Sequence, residues 1–120
     1  VHHKLLLFKL HQIGIKGTMY HMIKAMYTGA TAAVQIKNFT TNWFEIKTGI
    51  RQGDSLSPTL FAIFINDLAI KIKEKHIGIR NDKNLKVPIL LYADDIILLA
   101  DSEAELQRML NSAYNWCTKW

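Results

Sequence analysis

The sequence is poor in the residues and segments that mark secreted, membrane-embedded and disordered proteins. It has a single cysteine, Cys117, which excludes an internal disulfide and fits a reducing compartment. No apolar run approaches the roughly 20 residues that cross a bilayer. The leucine-rich run at residues 5–8 is interrupted by Lys9 and does not form the core of a signal peptide. Internal repeats and low-complexity tracts are also absent, which favours an ordinary folded domain.

The composition is that of one compact, basic domain of 120 residues. Hydrophobic residues make up 49% of the chain and charged residues 21%, enough apolar material for a core. The net charge of +5 favours a polyanionic partner, although it would equally promote solubility. Lys37, Lys47 and Arg51 surround one predicted hairpin, which indicates a nucleic-acid contact surface there.

Hydrophobic periodicity predicts helices over residues 3–13, 18–28 and 58–75, and a fourth helix that opens with the capping box Ser102-x-x-Glu105. Two strands are predicted at 32–37 and 43–47, and residues 78–86 form a loop or a short strand pair. The resulting order is helix, helix, hairpin, helix, hairpin, helix, which gives an α+β fold. We expect the core to include Met19, Met22, Met26 and Cys117. Three tryptophans should pack in the core or against another subdomain: Trp43, Trp116 and Trp120.

Two adjacent acids, Asp94 and Asp95, lie between two aliphatic runs at 89–92 and 96–99. Both runs read as buried strands, so Ala93 and the two acids fall at the turn of a hairpin. Neighbouring carboxylates between buried strands repel each other and are costly to desolvate. A divalent cation removes both penalties, and oxygen ligands suit Mg²⁺. The alternative is an ordinary solvated turn, because Asp is a common turn residue.

The second candidate site is the loop at residues 48–58. Gly49 and Gly53 bracket the loop, Ser57 is a suitable N-cap, and Pro58 suits the first helical position. A glycine loop that feeds a helix offers backbone N–H groups to an anion such as a triphosphate, and Arg51 adds positive charge. The alternative is a purely structural loop and cap.

Together these segments resemble the polymerase motifs of reverse transcriptases. Residues 49–68, GIRQGDSLSPTLFAIFINDL, resemble the second motif, and residues 92–95, YADD, resemble the third. The opening VHHKLL at residues 1–6 is similar to the end of the first motif in non-LTR (LINE-type) retrotransposon enzymes. Residues 116–120 resemble the helix before the next motif. The resemblance covers essentially the whole chain.

The resemblance implies a partial right-hand polymerase fold, with an antiparallel palm sheet that carries helices on one face. Residues 1–50 would be part of the fingers and residues 51–120 most of the palm. We expect the chain to be an internal piece of a larger enzyme, as the absence of an initiating Met also indicates. The first motif's catalytic aspartate would then precede Val1 and the thumb would follow Trp120. Without the first motif's strand, one edge of the YADD hairpin would be unpaired.

The resemblance also implies the chemistry. A primer 3′-hydroxyl attacks an α-phosphate, and two cations about 4 Å apart stabilise the attacking and leaving oxygens. Asp94 would be the principal ligand of Mg²⁺, with Mn²⁺ as a possible substitute, and Asp95 the accessory ligand. Tyr92 would lie under the primer terminus. The pocket of the incoming nucleotide would be formed by Arg51, Gln52 and Gly53.

Other polar residues near these motifs receive structural interpretations. His2 and His3 are adjacent on a helix, so their side chains diverge and do not share a tetrahedral metal ion easily. We therefore interpret them as a helix start. Asp54 could be a turn residue, and Gln52 could be a solvated loop side chain.

The partners implied by the resemblance are an RNA template, a DNA primer or target DNA, and dNTPs, with no membrane. The setting would be intracellular: the nucleus, after a cytoplasmic ribonucleoprotein stage. Three alternatives remain open: a decayed or domesticated fragment that only binds nucleic acid, a group II intron or retron enzyme, and an RNA-dependent RNA polymerase. The Val1-His2-His3 opening favours the LINE-type branch, and YADD in place of Gly-Asp-Asp disfavours the last alternative.

Overall fold

The computed structural model describes residues 1–76, 78–80 and 85–120, and it consists of helices and short antiparallel strand pairs. This confirms the predicted mixture of helices and antiparallel strands. The chain divides into two compact units, Val1–Leu60 and Phe61–Trp120. The elements, in chain order, are α1 (His3–Gln12), α2 (Gly17–Tyr27), β1 (Thr31–Ala32), β2 (Gln35–Ile36), β3 (Phe39–Thr40), β4 (Phe44–Glu45), α3 (Ser57–Lys75), β5 (Ile79–Arg80), β6 (Lys86–Val87), β7 (Ile89–Tyr92), β8 (Asp95–Leu98) and α4 (Glu103–Lys119).

In the first unit, α1 and α2 pack together around leucine and aromatic side chains. Leu6 and Leu10, one helical turn apart, are completely buried, and Ile23 and Tyr27 repeat that spacing on α2. The prediction that methionines fill this core was wrong for Met19 and Met22, because both are exposed. The buried residues of α2 lie in its second half. Met19 precedes them by a turn, and Met22 is rotated by about 100° from Ile23.

The predicted strand pair at 32–37 and 43–47 is divided into two short ladders. β1 pairs with β4, and β2 pairs with β3, both antiparallel. Between the ladders, the backbone N–H of Val34 donates to Thr41 Oγ1 at 2.9 Å. Of the two predicted positions of Trp43, the core and a subdomain contact, the core was wrong, since Trp43 is 72% exposed. Trp43 lies just before β4, and a ladder of two residue pairs has too few side chains to cover an indole.

In the second unit, the core forms between α3 and α4. Leu68, Ile72 and Met109 are almost completely buried, and the rings of Phe64 and Trp116 meet edge to face at 5.7 Å. This confirms the predicted interior position of Trp116. The prediction for Cys117 was wrong, because its side chain is exposed. The buried line of α4 runs through Met109 and Trp116, and Cys117 is rotated by about 100° from it.

A polar network joins the residue after α3 to the first half of α4. His76, which is buried, lies 2.9 Å from Glu105 Oε1 through Nδ1 and 3.0 Å from Ser112 Oγ through Nε2. Hydrogen bonds from Arg108, then from His76, lower the pKa of the Glu105 carboxyl. Since an ionised carboxylate only accepts, Nδ1 of His76 carries the proton and donates it. The Glu105 backbone N–H also donates to Ser102 Oγ, which confirms the predicted cap.

Within the described ranges, none of the helices combines the length and the apolar character needed to traverse a lipid bilayer.

Candidate active site

The two acids singled out in the sequence lie at a hairpin turn, as predicted. β7 and β8 pair antiparallel from Ile89 opposite Leu98 to Tyr92 opposite Asp95. The turn itself is formed by Ala93 and Asp94, so Asp95 is already the first residue of β8. Ala93 has a φ of +50°, in the left-handed region that residues with a Cβ adopt infrequently. This turn presents two consecutive carboxylates at the end of a regular ladder.

The end of this hairpin is open to solvent. Asp94 and Asp95 are both exposed, and Tyr92 is 82% exposed beside them. Exposure leaves the carboxylate oxygens free to exchange water for a cation or for a partner's hydrogen-bond donor. The hairpin interpretation predicts that Asp94 is solvent-accessible and points towards the loop at Gly53. Its exposure is confirmed, and its direction stays a prediction.

The prediction that both strands of this hairpin are buried was wrong. Ile89 is buried, but Leu90 is 49% exposed and Ile97 is 53% exposed. A strand that is apolar on both faces needs a packing layer on each side. Among the described residues, β7 and β8 form a sheet of two strands only. The apolar surface predicted to be interior therefore faces outward.

The glycine loop of the first unit leads into α3 through an aspartate turn. Asp54 Oδ1 accepts a hydrogen bond from the backbone N–H of Leu56 at 2.9 Å, which confirms the predicted turn role of Asp54. The prediction that Ser57 caps α3 was wrong. Ser57 Oγ is buried and has no hydrogen-bond partner among the described residues. The helix begins one residue earlier than predicted, because the Leu56 carbonyl already accepts from the Leu60 N–H at 3.0 Å.

The same loop borders a cavity of about 220 Å³ within the first unit. Arg51, Gln52 and Gly53 are all exposed, and Gly53 has a φ of +85°, which suits glycine. The side chains of Arg51 and Gln52 are thus free to reach a ligand. The full lining of the cavity is His3, Tyr27, Ala30, Thr31, Ile46, Gly49, Ile50, Arg51 and Gln52.

Sequence reasoning missed His3 as a member of this cavity. His3 is only 8% exposed, its Nε2 lies 2.8 Å from the Gly49 carbonyl oxygen, and its ring meets Tyr27 edge to face at 4.9 Å. The interpretation of His3 as no more than a helix start was therefore incomplete. One signal was present in the sequence: His3 precedes Leu6 and Leu7 by three and four residues, on the apolar side of α1.

The carboxylates of the hairpin are suited to sharing a metal ion with a substrate. Within the described ranges, no group of three or more His, Cys, Asp or Glu side chains is arranged to hold a metal. Mg²⁺ characteristically takes one or two carboxylates and completes its shell with water and substrate phosphates. Asp94 and Asp95 fit that partial ligand set and do not form an all-protein cage.

Comparison with known proteins identifies the family to which these motifs belong. The family model of reverse transcriptases (RNA-dependent DNA polymerases) matches residues 1–120. The chain belongs to the reverse transcriptase family. The loop at residues 49–53 and the YADD hairpin therefore lie within a reverse transcriptase domain.

Relatives of this reverse transcriptase chain come from non-LTR elements. It is 31% identical over 110 residues to the Retrovirus-related Pol polyprotein from type-1 retrotransposable element R2 of Popillia japonica, covering 92% of the chain and 18% of that protein. It is 28% identical over 126 residues to the RNA-directed DNA polymerase from mobile element jockey of Drosophila funebris, covering 100% of the chain and 13% of that protein. It is 28% identical over 109 residues to the Transposon TX1 uncharacterized 149 kDa protein of Xenopus laevis, covering 90% of the chain and 8% of that protein. The chain thus spans less than a fifth of each of these relatives.

Proposed function

We propose that this chain is the fingers and palm part of an RNA-directed DNA polymerase that extends a primer 3′-hydroxyl with dNTPs on an RNA template during retrotransposition. The observation that carries the proposal is the β7–β8 hairpin, whose turn exposes Asp94 and Asp95 together beside Tyr92. Family membership and the jockey relative, named an RNA-directed DNA polymerase, support it. In this proposal the fingers are residues 1–50 and the palm is residues 51–120.

Asp94 and Asp95 act as metal ligands in the proposed reaction. When bound, two Mg²⁺ ions supply activation of the primer hydroxyl and stabilisation of the leaving oxygen. Asp94, in the turn itself, provides the principal carboxylate, and Asp95, at the start of β8, the accessory one. The ladder behind the turn fixes the backbone of both residues, so the carboxylates approach a ligand from a rigid base. Tyr92, exposed on the last pair of the ladder, supports the primer terminus.

The loop after Gly49 binds the incoming nucleotide. The Arg51 guanidinium is exposed and can form paired hydrogen bonds to phosphate oxygens. Gln52 lines the cavity of the first unit, where its amide can donate to and accept from a sugar hydroxyl. Gly53, at positive φ, lets the chain turn towards α3 without a side chain in the path of the ligand.

The two short ladders of the first unit provide a surface for the template. Lys37 and Lys47 are exposed there, together with the aromatic rings of Phe39 and Trp43. Lys47 Nζ lies 3.4 Å from Glu45 Oε2 in a solvent-exposed ion pair, which a phosphate can replace. Cationic side chains beside exposed rings are the combination that binds single-stranded nucleic acid, because phosphates pair with the charges and bases stack on the rings. This surface supports an RNA template as the partner. The nucleus, reached through a cytoplasmic ribonucleoprotein, is the proposed location.

The proposal is tested by RNA-templated primer extension with the full-length polymerase that carries this segment. We expect extension to require Mg²⁺ and to be abolished by a chelator. Arg51→Ala should raise the KM for dNTP by about tenfold with a smaller change in kcat, because a charged hydrogen bond to phosphate contributes about 1.5–3 kcal/mol. Arg108→Ala, which removes an exposed arginine from α4, is the matched control and should leave KM unchanged.

Two outcomes would contradict the proposal. One is RNA binding without any Mg²⁺-dependent extension, which would favour the decayed or domesticated alternative. The other is extension in which Arg51→Ala and Arg108→Ala have the same dNTP KM, which would remove the loop from the nucleotide site. The isolated 120-residue chain should not extend primers, because Asp94 and Asp95 form only part of a two-metal ligand set.

A further inference from the structure

The first three residues of the chain are bonded to the start of the nucleotide loop. The Gly49 backbone N–H donates to the Val1 carbonyl at 2.7 Å, and His2 forms a β-bridge with Thr48. His3 adds a side-chain bond to the same place, from Nε2 to the Gly49 carbonyl at 2.8 Å, across 46 positions of sequence. Gly49 is therefore held through both its N–H and its carbonyl.

The bond from His3 has a defined direction. A carbonyl oxygen only accepts, so Nε2 of His3 carries the proton and donates it. The ring is buried and contacts Tyr27, so water does not readily replace this donor. Gly49 itself has a φ of +95°, outside the regular strand and helix regions, so the local ladder does not fix its geometry. The long-range bond supplies the constraint that regular secondary structure would otherwise provide.

We propose that His3 is a positioning residue for the nucleotide site. It acts through Gly49, which precedes Arg51 and Gln52 by two and three residues and fixes where their side chains start. This inference rests on the proposed function, in which those two side chains bind the incoming dNTP. Loss of the His3 bond would let the loop move away from the nucleotide, so the defect should appear in dNTP binding more than in turnover.

Three substitutions separate the hydrogen bond from the ring. His3→Leu removes the donor and the ring, His3→Phe keeps an aromatic ring without a donor, and His3→Gln keeps an amide N–H at a similar reach. In the full-length polymerase, His3→Leu and His3→Phe should raise the dNTP KM about fivefold, which corresponds to about 1 kcal/mol, with kcat changed less than about twofold. His3→Gln should restore KM to near the wild-type value.

The matched control is His2→Phe, because His2 is the same residue type at the adjacent position, its side chain is exposed, and its bridge to Thr48 is formed by backbone groups that the substitution keeps. It should leave the dNTP KM unchanged. Hydrogen exchange provides a second readout: the amides of Gly49 and Ile50 should exchange faster in His3→Phe than in His2→Phe. Thermal unfolding of each variant identifies a general loss of the fold. Such a loss would lower kcat in both His3→Gln and His3→Phe, whereas loss of the hydrogen bond alone would raise KM only in His3→Phe.

The outcomes distinguish this inference from the proposed function. If Arg51→Ala raises the dNTP KM but His3→Phe does not, the positioning role is overturned and the nucleotide loop stands. If His3→Gln is as defective as His3→Phe, the hydrogen bond is not the reason for the defect and the positioning role is again overturned. If neither Arg51→Ala nor His3→Phe changes KM, the assignment of the loop to the nucleotide fails, and this inference fails with it.

Discussion

Gly78 should tolerate a side chain less well than any of the other five glycines of the chain. It has a φ of +65°, and a Cβ at this position would overlap the backbone of Val87 and Pro88. The left-handed conformation costs an alanine about 1–2 kcal/mol, the reduced entropy of the unfolded chain offsets about 0.4–1 kcal/mol, and overpacking adds about 1–3 kcal/mol. Gly78→Ala should therefore lower the free energy of unfolding by about 2–4 kcal/mol.

Gly29→Ala is the control, because Gly29 has a nearly identical φ of +66° and no atom within 4 Å of the added Cβ. It should lose only about 1 kcal/mol. Urea denaturation of the 120-residue chain, followed by far-UV circular dichroism, measures both changes. Equal losses would refute the reasoning, because the overlap with Val87 and Pro88 is what distinguishes Gly78 from Gly29. The overlap bears on the candidate active site, because Pro88 precedes β7 and its carbonyl accepts from the Leu99 N–H at 3.0 Å at the base of the hairpin.

Two further substitutions test the interior of each unit by urea denaturation. Tyr27→Phe should leave stability unchanged or slightly higher, because the buried Tyr27 hydroxyl has no hydrogen-bond partner among the described residues, and a loss above about 1 kcal/mol would contradict this. Glu105→Gln should flatten the acid limb of the stability curve, as the pH falls below about 4.5. The folded pKa of Glu105 lies below its ordinary value of 4.5, so its stabilisation is present above that value and is lost as the pH falls through the folded pKa. Parallel curves for Glu105→Gln and wild type would show that ionisation of this carboxylate does not contribute to the pH dependence of stability.

Local sequence signals predicted the elements and the candidate turn well. The 3.6-residue periodicity of residues 58–75 and the N-cap at Ser102 depend on neighbours a few positions away, and both were confirmed. Of the predicted capping box, the bond from the Glu105 N–H to Ser102 Oγ is present, whereas the Glu105 carboxylate accepts from His76 and Arg108. The Asp94 turn was also predictable, because two aliphatic runs separated by a short polar gap leave a hairpin as the compact solution.

Burial was predicted less well, because it depends on which surfaces meet. Leu90 and Ile97 are as apolar as buried strand residues, yet each is about half exposed in the described part of the chain. Cys117 shares a helix with the buried Trp116 but lies on another side of it. The role of His3 depends on Gly49, 46 positions away, and no local pattern encodes that contact.

The central claim is that the YADD turn holds the catalytic metal of an RNA-directed DNA polymerase. Its most direct test is steady-state primer extension on an RNA template with Mg²⁺, comparing Asp94→Asn with Asp101→Asn in the full-length polymerase. Asp101 is also exposed but lies outside the turn, so its substitution controls for the loss of one negative charge. Asp94→Asn should lower kcat by about 10²-fold or more while RNA binding across a salt series stays close to wild type. Extension by Asp94→Asn at the rate of Asp101→Asn would contradict the account.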